Sequence, residues 1–534
     1  MGDIPASSKA SARHGQDKGE ATGRACTTQV QEVETDPHVD LTLWQGVKKW
    51  PRIVFYCIAV ASGILMYGYD YVIVGTTSAM PSFQRDFGEL LNGKQIIPSF
   101  WLGIWTFASP GASVIGAYFG GFFQDWHGRR ASFAVGAFVC AAGVAIAYVS
   151  NLPAGIDSRR SIFLAGKAVQ GGAIGMLMTT TQTYMSEISP PGLRGPLLAF
   201  FPIFLTVGEL IGAVVIFACL NLPNGYTTAF ASQWPFSALI FVVAFIIPES
   251  PTYLVRKDKL ELALKAQKRL EPKGTDGEET VGTIQRNIER ERKWGNSTYV
   301  DCFKKANLRR TLLVMYSSIL PQMFGITLLA KASYFVQIVG MAPSASVQFL
   351  IVGIVLSLLA NVAAIWITAR VGRRRLIYIG FAALSLLWLG MGIAGCWSGN
   401  AVVLYTAGSI IAIAIVSGIS VWPASYAVGS EASALHLRAK AQGIGWLTCG
   451  VAASLVGFGL PYVFNPDQGN LGAKTGFVFA VVCAIGVVVT FFYVPEMKRR
   501  TASEIDCMFD LKLKAREFRN WPSKVREGEA RSSV

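Results

Sequence analysis

The sequence predicts an all-α membrane protein with twelve transmembrane helices in two six-helix bundles. Three observations predict it. The 534-residue chain is 52% hydrophobic and only 15% charged, with a mean hydropathy of +0.41, whereas a soluble chain carries about 25% charged residues. Its apolar residues fall in runs near or above the ~20 needed to cross the hydrocarbon core. A polar turn also recurs between such runs. Gly121-Phe122-Phe123-Gln124-Asp125-Trp126-His127-Gly128-Arg129-Arg130 has a worn copy at Ala369-Arg370-Val371-Gly372-Arg373-Arg374. A motif repeated between equivalent helices suggests an internally duplicated membrane protein, the usual build of a secondary transporter.

Residues 1–49 are polar and rich in Ser, Ala, Gly and charge; they read as a disordered cytosolic tail with no secretory signal. The N-terminal bundle, 50–247, holds apolar runs at about 52–75, 97–123, 131–149, 162–187, 197–220 and 230–247. Residues 248–308 are polar and basic. Leu260 to Arg269 has helical periodicity and Lys273-Gly274-Thr275-Asp276-Gly277 breaks it, so the segment reads as a cytosolic linker with short helices. The C-terminal bundle, 309–496, follows with runs at about 311–336, 347–368, 376–397, 401–429, 441–463 and 475–494, and 497–534 form a charged cytosolic tail.

Most Lys and Arg lie in the two repeated turns, the linker and the C-terminal tail. The opposite side keeps a few, among them Arg85, Lys94, Arg159, Arg160 and Lys474. The positive-inside rule therefore places both termini in the cytosol. The same clustering accounts for the net charge of +15 without nucleic acid. Nine cysteines without a CxxC pair read as small buried hydrophobes. Asn296-Ser297-Thr298 matches a glycosylation acceptor but falls in the cytosolic linker, where it is expected to be unmodified. No nucleotide cradle, metal-ligand spacing or histidine beside a nucleophile is present, so the sequence reads as neither an enzyme nor an ATP-driven pump, with no cofactor and no metal.

Four ionisable residues lie well inside the spans: Asp70, Lys167, Glu209 and Lys331. A charge at that depth costs at least ~2.5–3.5 kcal/mol and needs a partner or an aqueous cavity. No histidine lies in a span, so a proton carrier is a carboxylate. Asp70 in the first span and Lys167 in the fourth are expected to face one another, either as a titrating pair or as a fixed ion pair ordering two helices. Glu209 either contacts cargo or only faces the cavity. Lys331 is expected to snorkel outward. A second charged group sits in the turns: Asp125, Arg129, Arg130, Glu187, Arg194 and Glu249 in the first half, with Arg373, Arg374, Glu431, Arg438 and Glu496 in the second. Ion pairs across these ends would hold the cytosolic side shut, and arginines there also set topology.

From about Trp44 to Phe509 the chain resembles the sugar porter family of the major facilitator superfamily. The resemblance rests on Gly68-Tyr69-Asp70, the turn from Gly121 to Arg130, Glu187-Ile188-Ser189-Pro190 through Arg194-Gly195, Pro248-Glu249-Ser250-Pro251 and the closing Pro495-Glu496-Met497-Lys498-Arg499-Arg500-Thr501. Ser333-Tyr334-Phe335, Gly340-Met341, Pro461-Tyr462-Val463, Asn465-Pro466 and the missing acid at Ala369 look most like fungal maltose and other α-glucoside permeases.

The resemblance implies a midplane site between two bundles, alternating access, and proton symport through the acid matching Asp70. The family's usual basic partner in the fourth helix is arginine, and here it is Lys167, which keeps the charge without the bidentate geometry. Departures gather where a sugar would bind: Pro321 beside Gln322, Thr327 for asparagine, Pro202 for a polar residue, Glu209 for glutamine, Lys331 for an aromatic gate, and Trp422-Pro423 for Gly-Pro. A sugar site needs amides, hydroxyls and aromatic faces; Gln322, Thr327, Ser357, Asn361, Tyr426 and Trp446 are the candidates. The implied function is a monomeric proton-coupled importer of an α-glucoside or hexose, in the plasma membrane. The alternatives are a carrier of another polyol, sugar acid or secondary metabolite, and a non-transporting sugar receptor.

Overall fold

In this computed structural model the described residues are 43–521 without 92, 191–196, 198–199, 272–276, 294–297, 435–436, 499, 501 and 520. Arg194 and the Asn296-Ser297 pair lie outside them, as does most of the N-terminal tail. Eleven described helical stretches are long and apolar enough to cross a membrane. The twelfth is Ser99–His127, which has ample length but carries Pro110 and more polar character.

In chain order the spans are Pro51–Thr77, Ser99–His127, Arg129–Tyr148, Ile156–Ile188, Phe201–Cys219 and Gly225–Ile246, then Leu308–Val339, Pro343–Arg370, Arg373–Ala394, Asn400–Ala432, Arg438–Phe464 and Thr475–Tyr493. They are called the first to the twelfth span below. Short helices Pro251–Arg256, Leu260–Leu270, Gly277–Lys293 and Tyr299–Phe303 join the halves. The second span packs on the fourth and on the eleventh, and the fifth packs on the first and on the eighth. The first and second halves therefore meet chiefly along two helix pairs, second with eleventh and fifth with eighth, and more lightly where the first span meets the seventh. Large apolar side chains such as Phe119, Phe138, Trp366 and Val481 face outward, where lipid rather than water is their natural neighbour.

The seventh span is interrupted. It runs as Leu308–Met323, Ile326–Leu329 and Ala332–Val339, with breaks at Gly325 and Lys331. Gly325 has φ +90, a left-handed conformation that glycine adopts without a Cβ clash, and an added Cβ would lie 2.9 Å from the Trp388 ring. The tenth span breaks likewise at Ser420. Irregular backbone at membrane depth is tolerated where it lines a cavity, and here both interrupted spans border one.

The two ends of the molecule differ. One end carries the arginine-rich turns and is called the basic end. At the opposite end a two-stranded hairpin, β1 (Glu89–Leu91) and β2 (Lys94–Ile96), pairs Glu89 with Ile96 between the first and second spans. Arg160 anchors it, donating from Nε to the Phe87 carbonyl at 2.9 Å and pairing with Glu89 at 2.8 Å. At the basic end a helix of the C-terminal tail, Ala502–Asp510, is docked on the seventh span. Arg310 holds it by ion pairs to Asp506 and, at 3.2 Å, to Asp510, and Arg309 donates to the Leu513 carbonyl at 2.6 Å.

Candidate functional site

Two adjoining cavities lie between the halves at mid-depth. The first, ≈ 730 Å³ of empty space, is walled by the first, fifth, seventh, eighth and tenth spans and is mostly apolar; its polar residues include Tyr71, Glu209, Ser357 and Trp422. The second, ≈ 570 Å³, is walled by the first, second, fourth, seventh and eleventh spans and includes Asp70, Tyr71, Ser109, Thr327 and Lys331. Tyr71 and Ala330 border both. The breaks in the seventh span supply residues to both walls.

Asp70 is 3% exposed and both of its carboxylate oxygens are engaged. Oδ1 accepts a hydrogen bond from Lys167 Nζ, and Oδ2 accepts one from Ser109 Oγ at 2.7 Å. Lys167 donates a second bond to Gln170 Oε1 at 3.2 Å, and Gln170 Nε2 donates to Gln233 Oε1 at 2.5 Å. The result is a buried polar chain through the first, second, fourth and sixth spans. One oxygen-bearing end of it opens on the second cavity. Chemically, Asp70 can take a proton there, and Gln170 can keep hold of the ammonium when it does.

Glu209 borders the first cavity among apolar side chains. Lys331 departs from expectation. It does not snorkel: it is 2% exposed, lines the second cavity, and its Nζ is buried without a hydrogen-bond partner. The reason is the helix break, which turns its stem inward at Lys331 itself.

The six sugar-site candidates do not gather at one place. Ser357 borders the first cavity and Thr327 the second, with Thr327 Oγ1 donating to Gln322 Oε1 at 2.6 Å. Asn361 instead reaches across the halves, Nδ2 donating to Thr206 Oγ1 at 3.4 Å while its Oδ1 is left without a partner. Tyr426 and Trp446 pack on Phe201 of the other half, ring centroids 6.0 and 5.6 Å away, nearer the basic end. These two form an aromatic contact between halves and lie outside the walls of both cavities.

The opposite end is held together by hydrogen bonds between halves. Tyr334 OH accepts from the Ile97 N–H at 3.1 Å, Asn465 Nδ2 donates to the Ile97 carbonyl at 2.8 Å, and Gln337 Nε2 donates to the Ala79 carbonyl at 2.8 Å. Asp467 takes both the backbone N–H and the hydroxyl of Ser99. Tyr334 and Asn465 thus act in this latch.

At the basic end the charged turns form two matching brackets. Glu249 accepts the backbone N–H of Arg129 at 2.9 Å and of Arg130 at 3.3 Å; Glu496 accepts that of Arg373 at 3.1 Å. Each glutamate thus caps the start of a span, where unpaired N–H groups and the helix dipole favour an anion. Gly128 and Gly372 make room: an added Cβ would fall 3.0 Å from Glu249 Cδ and 2.6 Å from Glu496 Cδ. Arg129 pairs with Glu187 at 2.7 Å and Asp125 at 3.3 Å, and Arg373 with Glu431 at 3.0 Å. Arg130 donates to the carbonyls of Ala244 and Phe245, Arg374 to that of Phe491, and Arg438 is exposed. The ion pairs expected along this end form within each half, because each arginine sits at the foot of its own bundle and meets the nearest carboxylate there.

Residues 56–509 match the family model described as sugar (and other) transporter. The chain belongs to that family. This sugar transporter is 28% identical over 506 residues to the MFS transporter fmqE of Aspergillus fumigatus, covering 90% of this chain and 92% of that protein. It is 28% identical over 491 residues to the general alpha-glucoside permease of Saccharomyces cerevisiae, covering 90% and 78%. Its fold matches the xylose transporter XylE from E. coli in a partially occluded inward open conformation, with TM-score 0.71, 18% identity and coverage of 84% and 100%, and XylE bound to 6-bromo-6-deoxy-D-glucose, with TM-score 0.69, 19% identity and coverage of 86% and 99%. The sugar transporter is thus a multi-pass membrane protein of the major facilitator superfamily and not an enzyme.

Sequence reasoning about this transporter missed Ser109, Gln170 and Gln233, which complete the chain around Asp70. Gln170 carried a signal, one helical turn from Lys167 on the same face. The latch residue Asp467 carried none, since its partner Ser99 is far away in sequence.

Proposed function

We propose that the protein is a proton-coupled sugar symporter that imports an α-glucoside or hexose by alternating access, with the basic end in the cytosol and the plasma membrane as its site. The observation that carries the reading is the Asp70 carboxylate, buried at mid-depth, paired to Lys167 and bonded to Ser109 on the wall of a cavity between the halves. A proton on Asp70 cancels the charge that holds Lys167, and Lys167 falls back on Gln170. Loss of the pair loosens the first span from the fourth, which lets the halves rock. Glu209 on the first cavity is the second candidate carrier. A membrane potential adds ~2.3 kcal/mol per charge per 100 mV, enough for useful accumulation.

The test is uptake into proteoliposomes under an imposed inward proton gradient, with labelled maltose, sucrose, glucose and a sugar acid in parallel. Uphill, uncoupler-sensitive accumulation supports the reading. Equilibration that ignores the gradient removes the coupling, and absence of flux with tight binding makes the protein a receptor.

A further inference from the structure

Lys331 takes no part in the Asp70 chain, and among the described residues its Nζ has no hydrogen-bond partner. It stands between two short helices of the seventh span, on the wall of the second cavity. The first span packs at Gly75 directly against its backbone and the base of its stem. That packing keeps the stem from swinging toward the membrane surface, where a lysine at this depth would otherwise carry its charge.

The charges around it leave Lys331 unbalanced. Asp70 lies on the same wall, but its charge is met by Lys167 and its second oxygen by Ser109. Glu209 borders the adjoining cavity, with Tyr71 and Ala330 common to both walls. The Tyr71 hydroxyl is buried near Thr327 and Gln322 without a well-formed hydrogen bond to either. The cavity thus presents an amino group and a phenol, two donors, neither of which makes a well-formed hydrogen bond among the described residues. A buried cation without an acceptor is strongly unfavourable, so an acceptor is expected to arrive with whatever fills the space.

We propose that Lys331 is a specificity residue that binds the carboxylate of a sugar acid, with the Tyr71 hydroxyl as second donor. One uncompensated cation calls for one negative charge. A monocarboxylate balances it, whereas a phosphate dianion would carry its second charge unpaired into a largely apolar space. The apolar wall of the first cavity suits the apolar face of the sugar ring. This inference rests on the sugar-transport reading above and sets a sugar acid in place of its neutral cargo.

The experiment uses the purified full-length chain and two probes that differ only by oxidation at one carbon, D-glucuronate and D-glucose. Binding is titrated by thermal shift and by intrinsic tryptophan fluorescence, to which Trp105 on the wall of the second cavity contributes. Wild type is expected to bind glucuronate about ten- to a hundredfold more tightly than glucose, the range for a charge-assisted bond in a dry site. Lys331→Met is expected to reduce that ratio to near one, and Lys331→Arg to keep most of it. Without ligand, Lys331→Met is expected to melt no lower than wild type, since it removes a stranded charge; a lower melting temperature would assign Lys331 a structural role instead. Equal binding of both probes by wild type, or an unchanged ratio in Lys331→Met, overturns the proposal while leaving sugar transport standing. Glucuronate binding without proton-driven uptake leaves the proposal standing and removes the symport reading. Binding of neither probe overturns the proposal and removes free glucose as cargo, while an α-glucoside remains open to the uptake assay.

Discussion

Asp467 of the second half caps the helix that begins at Ser99 of the first half, accepting the Ser99 backbone N–H at 2.7 Å and its hydroxyl at 2.5 Å. The cap satisfies an N–H group that a helix start leaves free, and it places an anion at the positive end of the helix dipole. Opening this end of the molecule requires that the cap be broken. Asp467→Ala is therefore expected to shift the population toward the state open at this end, by about 5- to 30-fold for the 1–2 kcal/mol that such a charged cap contributes. The readout is the labelling rate of Val74→Cys by an impermeant thiol reagent, with Cys396 replaced. An unchanged rate would mean that Asp467 is no latch.

Asp70→Asn keeps the shape of the side chain and removes its charge. Uphill accumulation is expected to vanish while exchange of labelled for unlabelled cargo persists. The substitution also strands Lys167, which costs about 3–5 kcal/mol when one member of a buried pair is removed. The double variant Asp70→Asn, Lys167→Met is expected to recover part of the lost melting temperature and none of the coupling. Full proton-driven accumulation by Asp70→Asn would end the proton role of this residue.

The two brackets at the basic end share a design but differ in backbone. Gly128 has φ +93, whereas Gly372 has φ −67. Gly128→Ala is expected to destabilise through both strain and displacement of Glu249, by about 1–3 kcal/mol. Gly372→Ala meets only the displacement of Glu496 and is expected to be milder. Thermal unfolding in detergent ranks the two, and the reverse order would show that the carboxylate contact matters more than the backbone.

One pH effect lies outside the membrane. Lys304 beside Asp301, with the Thr298 backbone N–H and hydroxyl, holds the Asp301 carboxyl well below the usual carboxylate range. A carboxyl depressed in the folded state contributes stability above its ordinary range and loses it as the pH falls through the folded value. The Tyr299–Phe303 helix that it caps is expected to hold at pH 5 and to begin fraying below about pH 4. Hydrogen exchange at residues 298–304, corrected for intrinsic rate, checks it; equal protection at pH 5 and pH 2 would show that the cap is dispensable.

The spans were legible because length and apolarity alone specify a transmembrane helix, and the two halves because their turns repeat. The second span was legible by length although Pro110 and its polar residues weaken its hydropathy. The place of Lys331 was not legible, because an apolar run does not announce where its helix breaks, and the break decides whether a stem points to lipid or inward. Tyr426 and Trp446 looked like cargo residues because aromatics suit sugars; Phe201, which they contact instead, is apolar and lies in another run. At the basic end the meeting of Arg129 with Glu187 and of Arg129 and Arg130 with Glu249 was legible from the turns; in the second half the residues were legible but not which carboxylate each arginine takes, since charge spacing alone does not assign partners.

The paired brackets have a further consequence for how the polypeptide is put together. Among the described residues, each bundle secures its own foot with its own glutamate, glycine and arginines. The peptide link between them is thus a leash rather than a seam. A chain cut between Glu271 and Gly277 would yield two fragments, each with its foot intact, able to find one another in the bilayer through the second-with-eleventh and fifth-with-eighth helix faces. In architecture the molecule is a dimer of unequal subunits that happen to be encoded as one.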